Sequence, residues 1–161
     1  MRALAYHITW GTYGTRLRYG PRPTVSRDQN EYGTPVLRYD EHLWERELSN
    51  LKFPPVILTR EQMCHIEAIT PEICERGHWK YVASAAGPDH AHNVVSSDQD
   101  PETIRRLMKR WMGQALSERW PRQENESPTW WAECGSIRWI MDDPYLSSAT
   151  GYVACQRATR P

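Results

Sequence analysis

The stretch Trp79-Lys80-Tyr81-Val82-Ala83-Ser84-Ala85-Ala86-Gly87-Pro88-Asp89-His90-Ala91-His92-Asn93-Val94-Val95-Ser96-Ser97 decides the fold class. Trp79 to Ala86 reads as one strand and His90 to Ser97 as the next. Gly87-Pro88-Asp89 between them is turn chemistry, because glycine and proline break regular backbone. Two strands joined by so short a turn form an antiparallel hairpin. The second strand carries His90 and His92 at i and i+2, so both imidazoles leave it on one side.

Toward the C-terminus, Asp100-Pro101 is a helix cap followed by a proline at the first helical position. The helix predicted from there to about Trp120 has a stripe of Ile104, Leu107, Met108, Trp111 and Ala115. Arg105, Arg106, Lys109 and Arg110 fall on its other side. Pro121 to Pro128 is a polar loop, and Ser136 to Met141 is a further strand. Asp142-Asp143-Pro144 opens a last helix running to about residue 157.

Toward the N-terminus, Thr59-Arg60-Glu61-Gln62 is a capping box. The helix it opens shows Met63, Ile66, Ile69 and Ile73 on one stripe and ends at Gly77. Pro71 inside that stripe predicts a kink or a break, with Thr70 as a new cap. Ala3 to Trp10 is a first strand, with Tyr6, Ile8 and Trp10 on one face and His7 and Thr9 on the other. Gly11, Gly14, Gly20, Pro21 and Pro23 make residues 11–39 a long irregular arm. Asp40 caps a short helix over 41–50. The coarse order of strand, helix, strand, strand, helix, strand, helix is α+β. It predicts a sandwich with a mostly antiparallel sheet and helices on one face.

The chain has 161 residues with 39% hydrophobic and 25% charged residues, which fits a single globular domain over 1–161. That domain includes an irregular segment at about 11–58. Mean hydropathy of -0.75 excludes a membrane-spanning helix. The first residues, Met1 to His7, carry no secretory signal. Cys64, Cys74, Cys134 and Cys155 form no C-x-x-C pair. They read as buried, inert thiols of a reducing cytoplasm.

The net charge is zero but unevenly spread. Residues 1–27 carry five arginines and no acid, and residues 28–78 carry five bases and ten acids. Residues 101–122 carry six bases and two acids, so two local basic regions can serve a polyanion. Seventeen of the twenty bases are arginine, which suits bidentate phosphate contacts, although a GC-rich coding sequence gives the same bias. Eight Trp and eight Tyr stand against one Phe. Rings with a polar handle suit half-exposed sites, base stacking among them, while most still pack in a core.

Two imidazoles side by side on a strand can present nitrogens to one metal ion. Taken alone, the pattern reads rather as a surface pair beside a turn. The last helix adds Tyr152 and Gln156, four apart and on one helical face. A tyrosine hydroxyl can attack phosphorus once the phosphate charge is relieved. It ordinarily holds its proton at neutral pH, with a pKa of about 10, so a base or charge relief is needed. His7 and bound water are the candidates for the base. A glutamine carbonyl is a hard oxygen ligand suited to magnesium or manganese.

In this order, the H-x-H strand, the basic helix and the final helix with Y-x-x-x-Q resemble the single-tyrosine HUH transposases of the IS200/IS605 type. Ala5-Tyr6-His7-Ile8-Thr9-Trp10-Gly11-Thr12-Tyr13-Gly14-Thr15 is similar to the opening of their REP-associated branch. Trp130-Trp131-Ala132-Glu133-Cys134-Gly135-Ser136-Ile137-Arg138-Trp139 is similar to that branch's tryptophan-rich stretch. The resemblance covers nearly the whole chain. It departs at Asn93, where the family often has a hydrophobic residue, and this predicts altered hydrogen bonding around His92.

The resemblance implies an HUH domain of ferredoxin-like or RRM-like plan. It implies transesterification on single-stranded DNA beside a hairpin, with Tyr152 forming a 5′-phosphotyrosine. His90, His92 and Gln156 are then the ligands of Mg2+ or Mn2+. Arg105, Arg106, Lys109 and Arg110, with Arg16 and Arg18 of the arm, are the DNA-binding candidates. Insertion-sequence relatives are homodimers that can share sites, while the REP-associated branch includes monomers. A zinc deaminase, which needs P-C-x-x-C together with its H-x-E, is excluded, since no P-C-x-x-C occurs. A non-catalytic RRM-like module binding single-stranded nucleic acid would account for the sheet, tryptophans and basic helix. It would not account for the two histidines arriving with Tyr152 and Gln156. A phosphoesterase without a covalent step is the third reading.

Overall fold

The computed structural model describes residues 3–21 and 37–159, so residues 22–36 of the predicted arm lie outside the described residues. The elements are β1 (Ala5–Gly11), α1 (Glu41–Ser49), α2 (Arg60–Gly77), β2 (Lys80–Gly87), β3 (His90–Ser96), α3 (Pro101–Arg119), β4 (Ser136–Ile140) and α4 (Asp143–Thr159). The four strands form one sheet in the order β2-β3-β1-β4, with every neighbouring pair antiparallel. With α2 and α3 as the two crossovers, this is the split β-α-β plan of ferredoxin-like folds. The α+β class is as predicted.

The alternation of β1 explains the layering. Tyr6, Ile8 and Trp10 join Met63 and Ile66 of α2 and Ile104, Met108, Met112 and Leu116 of α3 in the main core. Ala5 leaves the sheet on the opposite side and packs with Ala85, Val94, Ile140, Ala149 and Val153. The helices therefore do not lie on one face, as the sequence suggested. Helix α4 covers the face that α2 and α3 leave bare, because its only buried side chains are Ala149 and Val153. Such a narrow apolar strip cannot enter the larger core.

Local expectations met varied outcomes. Both bonds of the Thr59–Gln62 capping box form, at 2.9 and 3.3 Å. Helix α2 runs unbroken through Pro71, and the Thr70 hydroxyl donates to the Ile66 carbonyl at 2.7 Å instead of capping a new helix. The left-handed residue that ends α2 is His78, at φ 56°, not Gly77. Gly77 is small for another reason: a Cβ there would meet the Trp79 ring at 2.5 Å. Asn93 points away from His92, on the face shared with Ala91 and Val95, and is wholly buried in the main layer. The hydrogen bonding around His92 therefore does not pass through it. Only Cys74 is a buried thiol, with its pKa pushed up to about 12 by burial, whereas Cys64, Cys134 and Cys155 are exposed.

The arm begins with order. Thr12 bridges Trp131, the Tyr13 amide donates to the Trp130 carbonyl, and the Val56 amide donates to that of Tyr13. The tryptophan-rich stretch thus packs against the arm, with Trp10 and Trp131 in an edge contact 5.9 Å apart. No helix among the described residues is long and apolar enough to cross a membrane.

Candidate active-site cleft

The sheet face under α4 holds a cleft of about 620 Å³. His90, His92, Tyr152 and Gln156 all line it. The period of β3 turns both histidines, together with Val94, toward α4. The period of α4 sets Gln156 one turn beyond Tyr152. The two imidazoles meet edge to face at 4.8 Å, and Tyr152 stands edge to face on His92 at 5.4 Å. The tyrosine is half-exposed, so its hydroxyl is open to a large ligand.

Each imidazole has one nitrogen already engaged. His90 donates from Nδ1 to the Asp89 carboxylate at 2.6 Å, which leaves Nε2 as its free lone pair. His92 Nδ1 lies 2.9 Å from the Thr9 hydroxyl and 3.2 Å from His7 Nε2. Whichever bond it makes, Nε2 is the nitrogen that remains. Burial first, then the neighbouring His90, His7 and Arg16, lower the His92 pKa to about 3. The His7 pKa is lowered too, by burial and by Arg138. Both rings are therefore uncharged at neutral pH, the state in which imidazole accepts a metal or a proton.

Among the described residues, no group of three His, Cys, Asp or Glu side chains is placed to hold a metal ion. The donors brought together here are the imidazoles of His90 and His92 and the Gln156 amide; an amide oxygen suits magnesium or manganese, while imidazole also suits the later first-row ions. Thr9 and Arg138 also line the cleft, and sequence reading did not single them out for it. Alternation along β1 and β4 could have found them, since Thr9 pairs with His92 and Arg138 with His7. His7, the candidate base, sits 6.0 Å ring to ring from Tyr152, with its Nε2 directed at His92.

Gly87 belongs to this site through what it lacks. A Cβ there would lie 2.5 Å from Cε1 of His90. Gly87→Ala is expected to drive the imidazole out of its position while the hairpin persists. The off-rotamer strain should cost about 0.5–1.5 kcal/mol. Side-chain NMR of His90 should shift strongly, with the α2 and α3 amides unmoved; an unmoved His90 signal would refute this.

The structure divides the basic helix face. Arg105 donates to the Gly135 carbonyl at 2.8 Å and pairs with Glu102. Lys109 donates to the carbonyls of Ala132, Glu133 and Cys134, and burial followed by Arg105 lowers its pKa. These two head groups hold the segment leading into β4. Arg106 and Arg110 are exposed and one turn apart. Arg16 is exposed and lines the cleft, while Arg18 is half-buried beside it in sequence.

No family model and no curated protein matches this chain. A solved structure described as a "putative transposase" from Deinococcus radiodurans R1 superposes on it with a TM-score of 0.55. The match covers 98% of this chain and 93% of the other, at 13% identity. The shared feature is the fold. At that identity the likeness places strands and helices in common, and the cleft chemistry stands on this chain's own residues.

Proposed function

We propose that this chain is a metal-dependent single-stranded DNA endonuclease and strand transferase of the single-tyrosine HUH type, acting beside DNA hairpins. The observation that carries the reading is the meeting of His90, His92, Tyr152 and Gln156 in one cleft, drawn from β3 and from α4. The likeness in fold to the Deinococcus protein agrees with it. The exposed arginines of α3 and the arm agree as well.

His90, His92 and Gln156 would hold a magnesium or manganese ion, which supplies positive charge to a phosphodiester lying in the cleft. Arg16 and Arg138 would neutralise the flanking phosphates from the cleft walls. The Tyr152 oxygen attacks phosphorus and the P–O3′ bond breaks. The products are a 5′-phosphotyrosine and a free 3′-hydroxyl, which in net takes the tyrosine's proton. Attack of a 3′-hydroxyl on the phosphotyrosine reverses the step and rejoins DNA with no nucleotide consumed. The REP-associated branch is the closer counterpart, on the opening motif and the tryptophan-rich stretch.

The test is to trap the adduct. A 5′-labelled and a 3′-labelled hairpin oligonucleotide are incubated with protein and Mn2+, then resolved under denaturing conditions. Transfer of the label on the 3′ side of the break to protein supports the reading. Cleavage with no adduct points to a phosphoesterase, and binding with neither points to a non-catalytic module.

The DNA footprint gives a separate prediction. Arg106→Ala with Arg110→Ala should weaken hairpin binding regardless of sequence, because phosphate contacts carry no base information. Each lost contact should lower the slope of log K against log salt by roughly 0.7 to 0.9. Affinity titrations at several salt concentrations measure this, and an unchanged slope would move the footprint to Arg16 and Arg18.

A further inference from the structure

We infer that Glu67 is a positioning residue that fixes α4 relative to the β2–β3 hairpin. It thereby sets the distance between the two halves of the cleft. Glu67 lies on α2, on the opposite side of the sheet from α4, and is buried. Its Oε1 accepts from the Ala86 amide at 3.0 Å, and its Oε2 meets Nε of Arg157 at 3.2 Å. One carboxylate thus reaches round the β2 edge of the sheet to two separate chain segments. Ala86 precedes Gly87, the residue whose missing side chain makes room for the His90 ring. Arg157 follows Gln156. The carboxylate sits one residue away from each.

Helix α4 needs such a tether. Of its 17 residues only Ala149 and Val153 are buried. Its middle, Ser147-Ser148-Ala149-Thr150-Gly151, holds mostly weak helix formers, and a Cβ on Gly151 would meet nothing within 4 Å. An exposed interior glycine costs a helix about 1 kcal/mol relative to alanine. At its start, Asp142 caps the helix by accepting from the Tyr145 amide at 2.8 Å. At its far end, past Tyr152 and Gln156, the Glu67–Arg157 pair is a charged contact to the body. A helix with few buried contacts opens locally before the rest of a domain does. Losing the pair should therefore release the end that carries Gln156.

The positioning of α4 stands on these contacts alone; its consequence for the cleft rests on the function proposed above. The experiment separates the two. Hydrogen exchange is followed in metal-free protein for wild type, Glu67→Gln, Arg157→Ala and Arg157→Lys. Gln keeps an acceptor for the Ala86 amide and removes the charge. Exchange over residues 150–159 should rise about five- to tenfold in Glu67→Gln and Arg157→Ala. It should be largely restored in Arg157→Lys, with α2 and α3 unchanged throughout. Unchanged α4 exchange, or a rise shared equally by α2 and α3, overturns the inference. Mn2+ affinity by calorimetry is the second readout. Weaker binding in the variants with looser α4, at an unchanged Tm, supports coupling to the cleft. Equal Mn2+ affinity in all four proteins overturns that coupling. If wild type forms no DNA adduct, the proposed function fails while the exchange result stands.

Discussion

Tyr152→Phe is expected to fold, to bind a DNA hairpin with unchanged affinity, and to form no covalent adduct. The ring is the part of this side chain that packs, edge to face on His92 and His7. The substitution keeps that ring and removes only the oxygen. Because the residue is 49% exposed, stability should change by less than about 0.5 kcal/mol. Removing a nucleophile removes the covalent step altogether, so the labelled band should fall below detection and not merely weaken. Denaturing electrophoresis of both proteins with the same oligonucleotide reads the result. An adduct that persists would pass the role to Tyr145, which lines the same cleft from the preceding turns of the helix.

The second large effect concerns the imidazoles. His90→Ala and His92→Ala should each abolish Mn2+-dependent cleavage and leave hairpin binding intact. The two variants should differ in stability. His92 is buried and bonded to His7 and Thr9, so its loss leaves polar partners unsatisfied, at about 1–3 kcal/mol. His90 is half-buried and its partner Asp89 is beside it in sequence, so its removal should be milder. Asp89→Asn retains His90 but weakens the carboxylate that orients it. Loss of such an outer partner lowers metal affinity about 10- to 100-fold. Calorimetric titration with Mn2+ measures all three variants. Wild-type affinity in both histidine variants would refute the ligand assignment.

Much of this molecule was legible because its signals are local. A period of 2 put His90 and His92 on one side of a strand. A period of 3.6 put Tyr152 and Gln156 on one side of a helix, and both patterns survive in the structure. The capping box at Thr59 and the cap at Asp100 are likewise short-range bonds between residues three apart. What escaped the sequence depends on distant chain. That α4 takes the far face of the sheet follows from how weakly its apolar residues gather into one stripe, weighed against a core already filled by α2 and α3. A helical projection shows Arg105 and Lys109 on a polar side, but not that the loop at 132–135 returns to occupy them. Asn93, standing where the resembled family often has a hydrophobic residue, read as altering the hydrogen bonding around His92, whereas strand alternation turns it to the core face. Pro71 read as a kink or a break, and α2 continues through it unbroken.

The β4 border of the sheet carries a colloidal consequence. Among the described residues no further strand lies beside its outer backbone groups, and Trp139, Met141 and the nearby Leu4 are exposed large apolar side chains. An open strand with apolar neighbours is a template for sticking to other chains. Two things blunt it here: a length of five residues, and the charge of Arg138 in its middle. Arg138 therefore acts as a gatekeeper against self-association as well as lining the cleft. A neutral replacement at Arg138 should lower the concentration at which the protein precipitates.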